Sequence, residues 1–218
     1  MHDRAAGLYF DEPHFDRHLA FAFVGLAGEE IAGRAFSVPF AFRIEGRTEL
    51  PDAGWDEVIR WSHQDHAAGR KPTALSALEI SLLPPFRGRS HPERFIATMK
   101  DAARAHGFAD LYAPVRPSLK HRSPRAPMAA YAAALRPDGL PVDPWLRTHV
   151  RLGGRIVKVA PCSMTIVGTL AEWSRWTGLA FPTSGDMEVP GALAPVLISR
   201  EQDCGVYVEP NVWVHHRA

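Results

Sequence analysis

The chain has 218 residues, 46% of them apolar and 22% charged, and a formal charge of +1. That length suits one sizeable core or one domain with an insertion, and the composition excludes a disordered or fibrous chain. A charge so near zero gives no broad attraction for nucleic acid or an anionic membrane, so any anion site must be local.

No stretch approaches the roughly 18 uninterrupted apolar residues of a membrane span, and Met1-His2-Asp3-Arg4 is not followed by the apolar core of a signal peptide. The expected location is therefore the cytoplasm. Cys162 and Cys204 are too few and too far apart for a disulfide framework or a thiolate metal cluster.

In chain order, Asp11 to Leu19 reads as a short helix, with Asp11 as N-cap and Pro13 in the first turn. Phe21 to Leu26 and Ile31 to Phe42, separated by the turn Ala27-Gly28-Glu29-Glu30, form an antiparallel hairpin. Trp55 to His63 is a short helix. Ala77-Leu78-Glu79-Ile80-Ser81-Leu82-Leu83 is a nearly continuous apolar run, as expected of a strand buried on both faces, and it ends at Pro84-Pro85. Glu79 is its single charge.

Ser90-His91-Pro92-Glu93 then fits a capping box, opening a helix whose apolar face is Phe95, Ile96, Met99, Ala102 and Ala103 and which stops at Gly107. Phe108 to Val115 is the next strand, so strand, loop, helix and strand make a right-handed crossover. Seven prolines between Pro114 and Pro144 mark an insertion, with room for a short helix from Pro127 to Leu135. Pro144 to Leu152 is helical and stops at Gly153-Gly154. Strands follow near Arg155 to Val159 and Ser163 to Val167. Thr169-Leu170-Ala171-Glu172 is a second capping box opening a helix through Trp176. The chain closes with an alternating strand from Gly205 to His215.

The strand-to-helix junction at Phe86 to His91 would point free backbone N–H groups and a helix dipole at phosphate oxygens; a plain connection is the other reading. Here Leu82-Leu83-Pro84-Pro85-Phe86-Arg87-Gly88-Arg89 resembles the GNAT superfamily, with its apolar strand end and Arg-Gly pyrophosphate loop. Ala113-Pro114-Val115-Arg116-Pro117, Asp143-Pro144-Trp145-Leu146-Arg147 and Glu209-Pro210-Asn211-Val212-Trp213 are similar to a bacterial GNAT-like subgroup. The loop departs from the family's Arg-x-x-Gly-x-Gly/Ala, reading Arg87-x-x-Ser90-x-Pro92. The resemblance implies an α/β (α+β) fold: one domain over residues 1–218, with a mixed, mostly antiparallel central sheet flanked by helices and the Pro-rich insertion at about 114–144.

It also implies an N-acyltransferase moving an acyl group, acetyl by expectation, from coenzyme A or an acyl carrier protein thioester to a small amine or hydroxyl. Leu82, Leu83, Phe86, Arg87, Gly88, Arg89, Ser90 and His91 would then hold acetyl-CoA or another acyl-CoA. The alternative is a non-catalytic module of the same fold that binds a thioester or a protein.

Acyl transfer to nitrogen needs a proton acceptor for the amine and a donor for the leaving thiolate. Family members often carry a carboxylate base on the strand that holds Glu79, whose desolvation would raise its pKa toward neutrality; a Glu paired with Arg at the strand edge is the other reading. The family's Tyr acid, four residues before the Gly ending the later helix, is replaced by His149, which is either an acid or base or a structural histidine. Tyr131 is the runner-up acid.

On the last strand Tyr207, Glu209, Asn211 and Trp213 share a face, either as an acceptor-pocket wall or as the solvated side of an edge strand. Trp173 and Trp176 fit helix spacing and read as core. Lys120-His121-Arg122 with Arg125 is either a phosphate site or a solvated loop. His63-Gln64-Asp65-His66 and His215-His216 lack metal-ligand spacing, so no metal, nucleic acid or membrane is expected.

Overall fold

The computed structural model describes residues 5–11, 14–87 and 91–218, the side chain of His91 excepted. Its strands are β1 (Ala22–Ala27), β2 (Glu30–Phe40), β3 (Ala74–Leu82), β4 (Asp110–Val115), β5 (Arg155–Gly168), β6 (Gly185–Met187), β7 (Val196–Ser199) and β8 (Cys204–Arg217). Its helices are α1 (Gly7–Phe10), α2 (Gly54–Ala67), α3 (His91–Ala105), α4 (Met128–Ala133), α5 (Pro144–Arg151) and α6 (Leu170–Thr177). The strands join in the order β1-β2-β3-β4-β8-β7-β6, and β5 pairs β8 off that path. Every pairing is antiparallel except β3 with β4. This is the mixed, mostly antiparallel sheet flanked by helices that the resemblance implies.

Period-two alternation sorts the sheet's side chains into two cores. Phe36, Ala74, Tyr112 and Trp213 pack with Val58, Ile59 and Trp61 of α2. Their chain neighbours Ala35, Leu75 and Leu111 turn the other way, onto Phe95, Met99 and Ala103 of α3. Val212 and Val214 pack with Met128 and Ala132 of α4 and Leu146 of α5, while Trp173 of α6 packs with Ile166, Ile198 and Tyr207.

Two of the sheet's register shifts matter here. On β3, Phe36 opposes Glu79 and Ser37 opposes Ala77, which leaves Leu78 as an extra residue. On β5, Ala160 opposes Asn211 and Met164 opposes Glu209, so Pro161, Cys162 and Ser163 face the single residue Pro210. Pro210 has no N–H to give a ladder, so a bulge costs little there.

The protruding β5 segment seats α2. Ser163 Oγ accepts the Trp55 N–H at 2.9 Å, Asp56 Oδ2 accepts the Thr165 N–H at 3.2 Å, and the Cys162 N–H donates to the Asp52 carbonyl at 3.2 Å. Gly54 fits because a Cβ there would fall 2.2 Å from Ser163 Oγ.

A buried ion pair holds the other end of α2. Asp65 accepts from Arg47 at 2.8 and 2.9 Å, from Arg70 at 2.5 Å and from the Ala41 N–H at 2.7 Å. Arg47 also lies over the Trp61 ring, 4.8 Å from its centroid.

Several expectations need correction. The helix placed at Asp11 to Leu19 is instead a 3-10 turn over Phe15–Phe21, preceded by α1, and Pro13 lies outside the described residues. The two strands expected between Arg155 and Val167 are one strand, because the bulge carries pairing across the break. The closing strand is no edge: β8 pairs with β4, β5 and β7. The capping box at Thr169 is formed, with Glu172 closing it. Ser90 of the other lies outside the described residues.

Removing the acceptor charge at Asp65 leaves Arg47 buried without its partner, which costs about 3–5 kcal/mol. Asp65→Asn should therefore lower the urea midpoint by that equivalent, with an unchanged slope, in equilibrium unfolding followed by circular dichroism.

Candidate active site

The site begins where the one parallel pair in the sheet comes apart. β3 and β4 pair only at Leu75–Leu111 and Ser76–Tyr112. Beyond Ser76, β3 bends at the Leu78 bulge, and among the described residues its Ala77–Leu82 stretch pairs only with β2. The indole N–H of Trp55, delivered by the seated start of α2, donates to the Leu78 carbonyl at 3.0 Å.

A cavity of about 600 Å³ fills the split. Glu79 and Leu82 of β3, Arg87, Pro92 near the start of α3, and His149 of α5 all line it. Trp55, Trp145, Arg116, Met164, Glu209 and Asn211 complete the part of the wall that carries polar or aromatic groups.

Glu79 is partly exposed and takes the Nε–H of Arg34 at 3.0 Å, so the strand-edge ion pair and the place in the cavity wall are both realised. Arg87 turns its Nε–H back to the Leu82 carbonyl at 3.2 Å. Phe86 is buried, Leu83 is half exposed, and neither lines the cavity. Gly88, Arg89 and Ser90 lie outside the described residues, as does the side chain of His91, whose backbone opens α3.

His149 is 3% exposed, and its Nδ1 lies 2.9 Å from Nε2 of His216 on β8. Burial pushes its pKa down from 6.5 to about 3, with His216 adding to the effect. Burial likewise lowers His216 to about 4, helped by the charges of Lys100 and His215. Two neutral imidazoles satisfy this contact, one nitrogen donating and the other accepting. Gly154 lets the rings approach, since a Cβ there would meet His216 Cε1 at 2.6 Å.

α5 is aimed by Asp143, its N-cap, which is 1% exposed. Asp143 accepts the N–H groups of Trp145 (2.9 Å), Leu146 (3.1 Å) and Leu119 (2.9 Å) and the Tyr131 hydroxyl (2.9 Å). Tyr131 is thereby corrected as an acid candidate: burial and then Asp143 raise its pKa, and it does not line the cavity. Lys120 is corrected too. It is 1% exposed, neither solvated nor open to phosphate, because its ammonium donates to the carbonyls of Ser123 (2.7 Å), Pro124 (3.1 Å) and Leu193 (2.8 Å). Arg125 pairs with Glu188.

On β8 the expected acceptor wall divides. Asn211 lines the cavity in the split, and Tyr207 lines a second cavity of about 460 Å³. Glu209 lines both. Trp213 lines neither; it is fully buried in the α2 core and donates its indole N–H to the Pro51 carbonyl at 2.9 Å. Glu209, 3% exposed, accepts from Arg116 Nε (3.0 Å), the Tyr207 hydroxyl (2.8 Å) and Asn211 Nδ2 (3.2 Å).

Sequence reasoning missed Arg116, Trp55, Trp145 and Met164. Arg116 carried a signal, standing one residue past a strand end in a phrase already noted for its resemblance. Among the described residues no group of three or more His, Cys, Asp or Glu is placed to share a metal ion, and no helix is long and apolar enough to cross a membrane.

No protein-family model matches the chain. It is 35% identical over 188 residues to the arginine N-acetyltransferase avaD of Aspergillus versicolor, an alignment covering 77% of this chain and 65% of that protein's length. Among solved structures, the loading GNATL domain of CurA from Lyngbya majuscula superposes with a TM-score of 0.58 at 16% identity, over 100% of this chain and 96% of that one. The GNAT-like decarboxylase GphF, solved with isobutyryl-CoA, gives 0.49 at 17% identity, over 100% and 97%. The chain thus shares the fold of a GNAT-like domain and is similar in sequence to an N-acetyltransferase, over slightly less than two thirds of that protein's length.

Proposed function

We propose that the chain is a cytoplasmic N-acyltransferase, a single domain over residues 1–218 with an insertion at about 114–144, that moves an acetyl group from coenzyme A to a small amine. A carrier-protein thioester is the other acyl donor the chemistry admits. The observation that carries the reading is the shared wall: Glu79, His149, Arg87 and Pro92 line the same cavity in the split between β3 and β4. The fungal relative, an arginine N-acetyltransferase by name, supports amine acylation.

The fit to acyl-CoA rests on the open edge of β3. Strand atoms from Ala77 to Leu82 that β4 leaves unpaired suit the two amides of a pantetheine arm, which needs N–H and C=O partners in an extended line. Arg87 and the start of α3 would face the pyrophosphate, with the helix dipole adding to the attraction.

In the reaction the amine nitrogen attacks the thioester carbonyl, the C–N bond forms and the C–S bond breaks. The proton lost by the amine passes to Glu79 and from there to the departing thiolate, so the thiol leaves neutral. His149 is not an imidazolium near neutral pH, given a pKa of about 3. Its part is that of a neutral imidazole, which fits a hydrogen-bond donor to the carbonyl oxygen as charge builds there.

Calorimetric titration with coenzyme A, followed by thiol release from acetyl-CoA across an amine panel, tests this. Glu79→Gln should lower kcat about 10²-fold or more, and His149→Ala about 10²-fold, with coenzyme A affinity nearly unchanged. Tight binding without thiol release from any amine would instead favour a non-catalytic binding module.

Stability should also depend on pH. His149 and His216 have folded-state pKa values of about 3 and about 4, both below the unfolded 6.5. The unfolded chain therefore binds the protons that the folded one refuses. Their contribution is complete above pH 6.5 and is lost as pH falls from there toward 4, each adding up to about 1.4 kcal/mol per pH unit. The Tm should fall accordingly as pH is lowered from 7 to 4, and His216→Asn should make that fall shallower.

A further inference from the structure

The second cavity adjoins the first, and the two share Arg116, Met164 and Glu209. Its walls are largely apolar: Trp173 and Trp176 of α6, Val189, Pro190 and Ala192 of the β6–β7 connection, and Val196 of β7. Among the described residues Arg116 and Glu209 are the only charged side chains on its wall. They are not equivalent. Glu209 is buried and its oxygens already accept from Arg116, Tyr207 and Asn211. Its charge is already matched by the Arg116 guanidinium.

Arg116 is nearly half exposed at the junction. Its Nε–H serves Glu209 and one Nη2–H serves the Gly191 carbonyl at 2.6 Å. A guanidinium has five N–H groups in one plane, so three remain, and among the described residues Nη1 has no partner. A planar fork with free N–H groups, fixed at its other edge by a buried carboxylate and a carbonyl, matches a carboxylate that accepts two parallel bonds.

We infer that the second cavity is the side-chain pocket for a 2-amino acid with an apolar side chain, whose carboxylate Arg116 holds at the junction of the two cavities. This rests on the acyl-transfer reading for its purpose but not for its geometry. In such an acid the amine nitrogen and the carboxylate carbon are bonded to the same atom and lie about 2.5 Å apart. Anchoring the carboxylate at the junction therefore leaves the amine at the mouth of the first cavity, and the side chain enters the chamber walled by Trp173, Trp176 and Val196. A side chain ending in an ammonium or guanidinium would enter a chamber with no free carboxylate and lose its hydration.

The test is calorimetric titration of the whole chain, with and without saturating coenzyme A, using L-leucine, L-phenylalanine, L-alanine and L-arginine, and isopentylamine and phenethylamine as counterparts lacking the carboxylate. Leucine and phenylalanine should bind at least about tenfold tighter than their amines and than arginine. Arg116→Lys keeps a cation beside Glu209, so the fold is retained, and should erase the preference for the carboxylate. Trp176→Ala should weaken phenylalanine about tenfold more than alanine. Equal affinity for phenylalanine and phenethylamine, a preference for arginine, or no binding of leucine and phenylalanine under either condition would overturn the inference. Thiol release with amines but no carboxylate preference sinks the pocket and leaves acyl transfer standing. Tight binding of both amino acids with no thiol release does the reverse.

Discussion

The seat of α2 on the β5 bulge is the constraint from which the site follows. Two parallel strands with matched apolar faces would go on pairing past Ser76 if nothing held them apart, because each ladder bond left unmade strands a donor and an acceptor. The bulge at Leu78 turns β3 aside, and the Trp55 indole takes the carbonyl at that bend. Trp55 stands there because Ser163, Thr165 and Cys162 hold the segment from Asp52 to Asp56, and that hold needs the missing side chain of Gly54. A local irregularity on one strand thus keeps open a cavity on another.

Charge in the site is divided by burial. Glu209 is deep and fully engaged, so it acts as a fixed anchor for Arg116, and removing any one of its three donors would leave a buried acceptor short of a partner. Glu79 is partly exposed, and among the described residues its one ion-pair partner is Arg34 on the neighbouring strand. A proton carrier has to exchange its proton with substrate and water, and Glu79 has the access for it whereas Glu209 has not. Reading the carboxylates by sequence context alone would reverse this, since Glu79 sits in the more apolar run.

That reversal marks where the sequence stopped being legible. The hairpin, the crossover helix, the Thr169 capping box and the Gly153-Gly154 stop were readable because each depends on neighbours within a few residues. So was the alternation on β8 that puts Tyr207, Glu209 and Asn211 toward the cavities. Trp213 broke that pattern because Phe40 and the α2 core lie over its end of the strand, a fact of topology. Lys120 looked solvated because the turn that brings the Ser123 and Pro124 carbonyls back onto its ammonium, and the distant Leu193 carbonyl beside them, cannot be seen in a basic run. The short strands β6 and β7 have three and four residues, too few to show a period, yet their connection makes one wall of the second cavity.

His149 shows how magnitude settles a conflict between local and tertiary effects. It stands in the last turn of α5, where the helix dipole favours a cation by about 0.3–1 kcal/mol, or up to about 2 in partly buried settings. A fall in pKa from 6.5 to about 3 corresponds to roughly 5 kcal/mol in the opposite direction. Burial and the facing His216 ring therefore win, and the pair stays neutral across the physiological range. In a neutral pair each ring keeps one N–H, so the role a ring takes in the shared hydrogen bond fixes whether its other nitrogen is a donor or an acceptor. Whether Nε2 of His149 carries a hydrogen or a lone pair is then set by the His216 ring behind it, although His216 does not line the cavity.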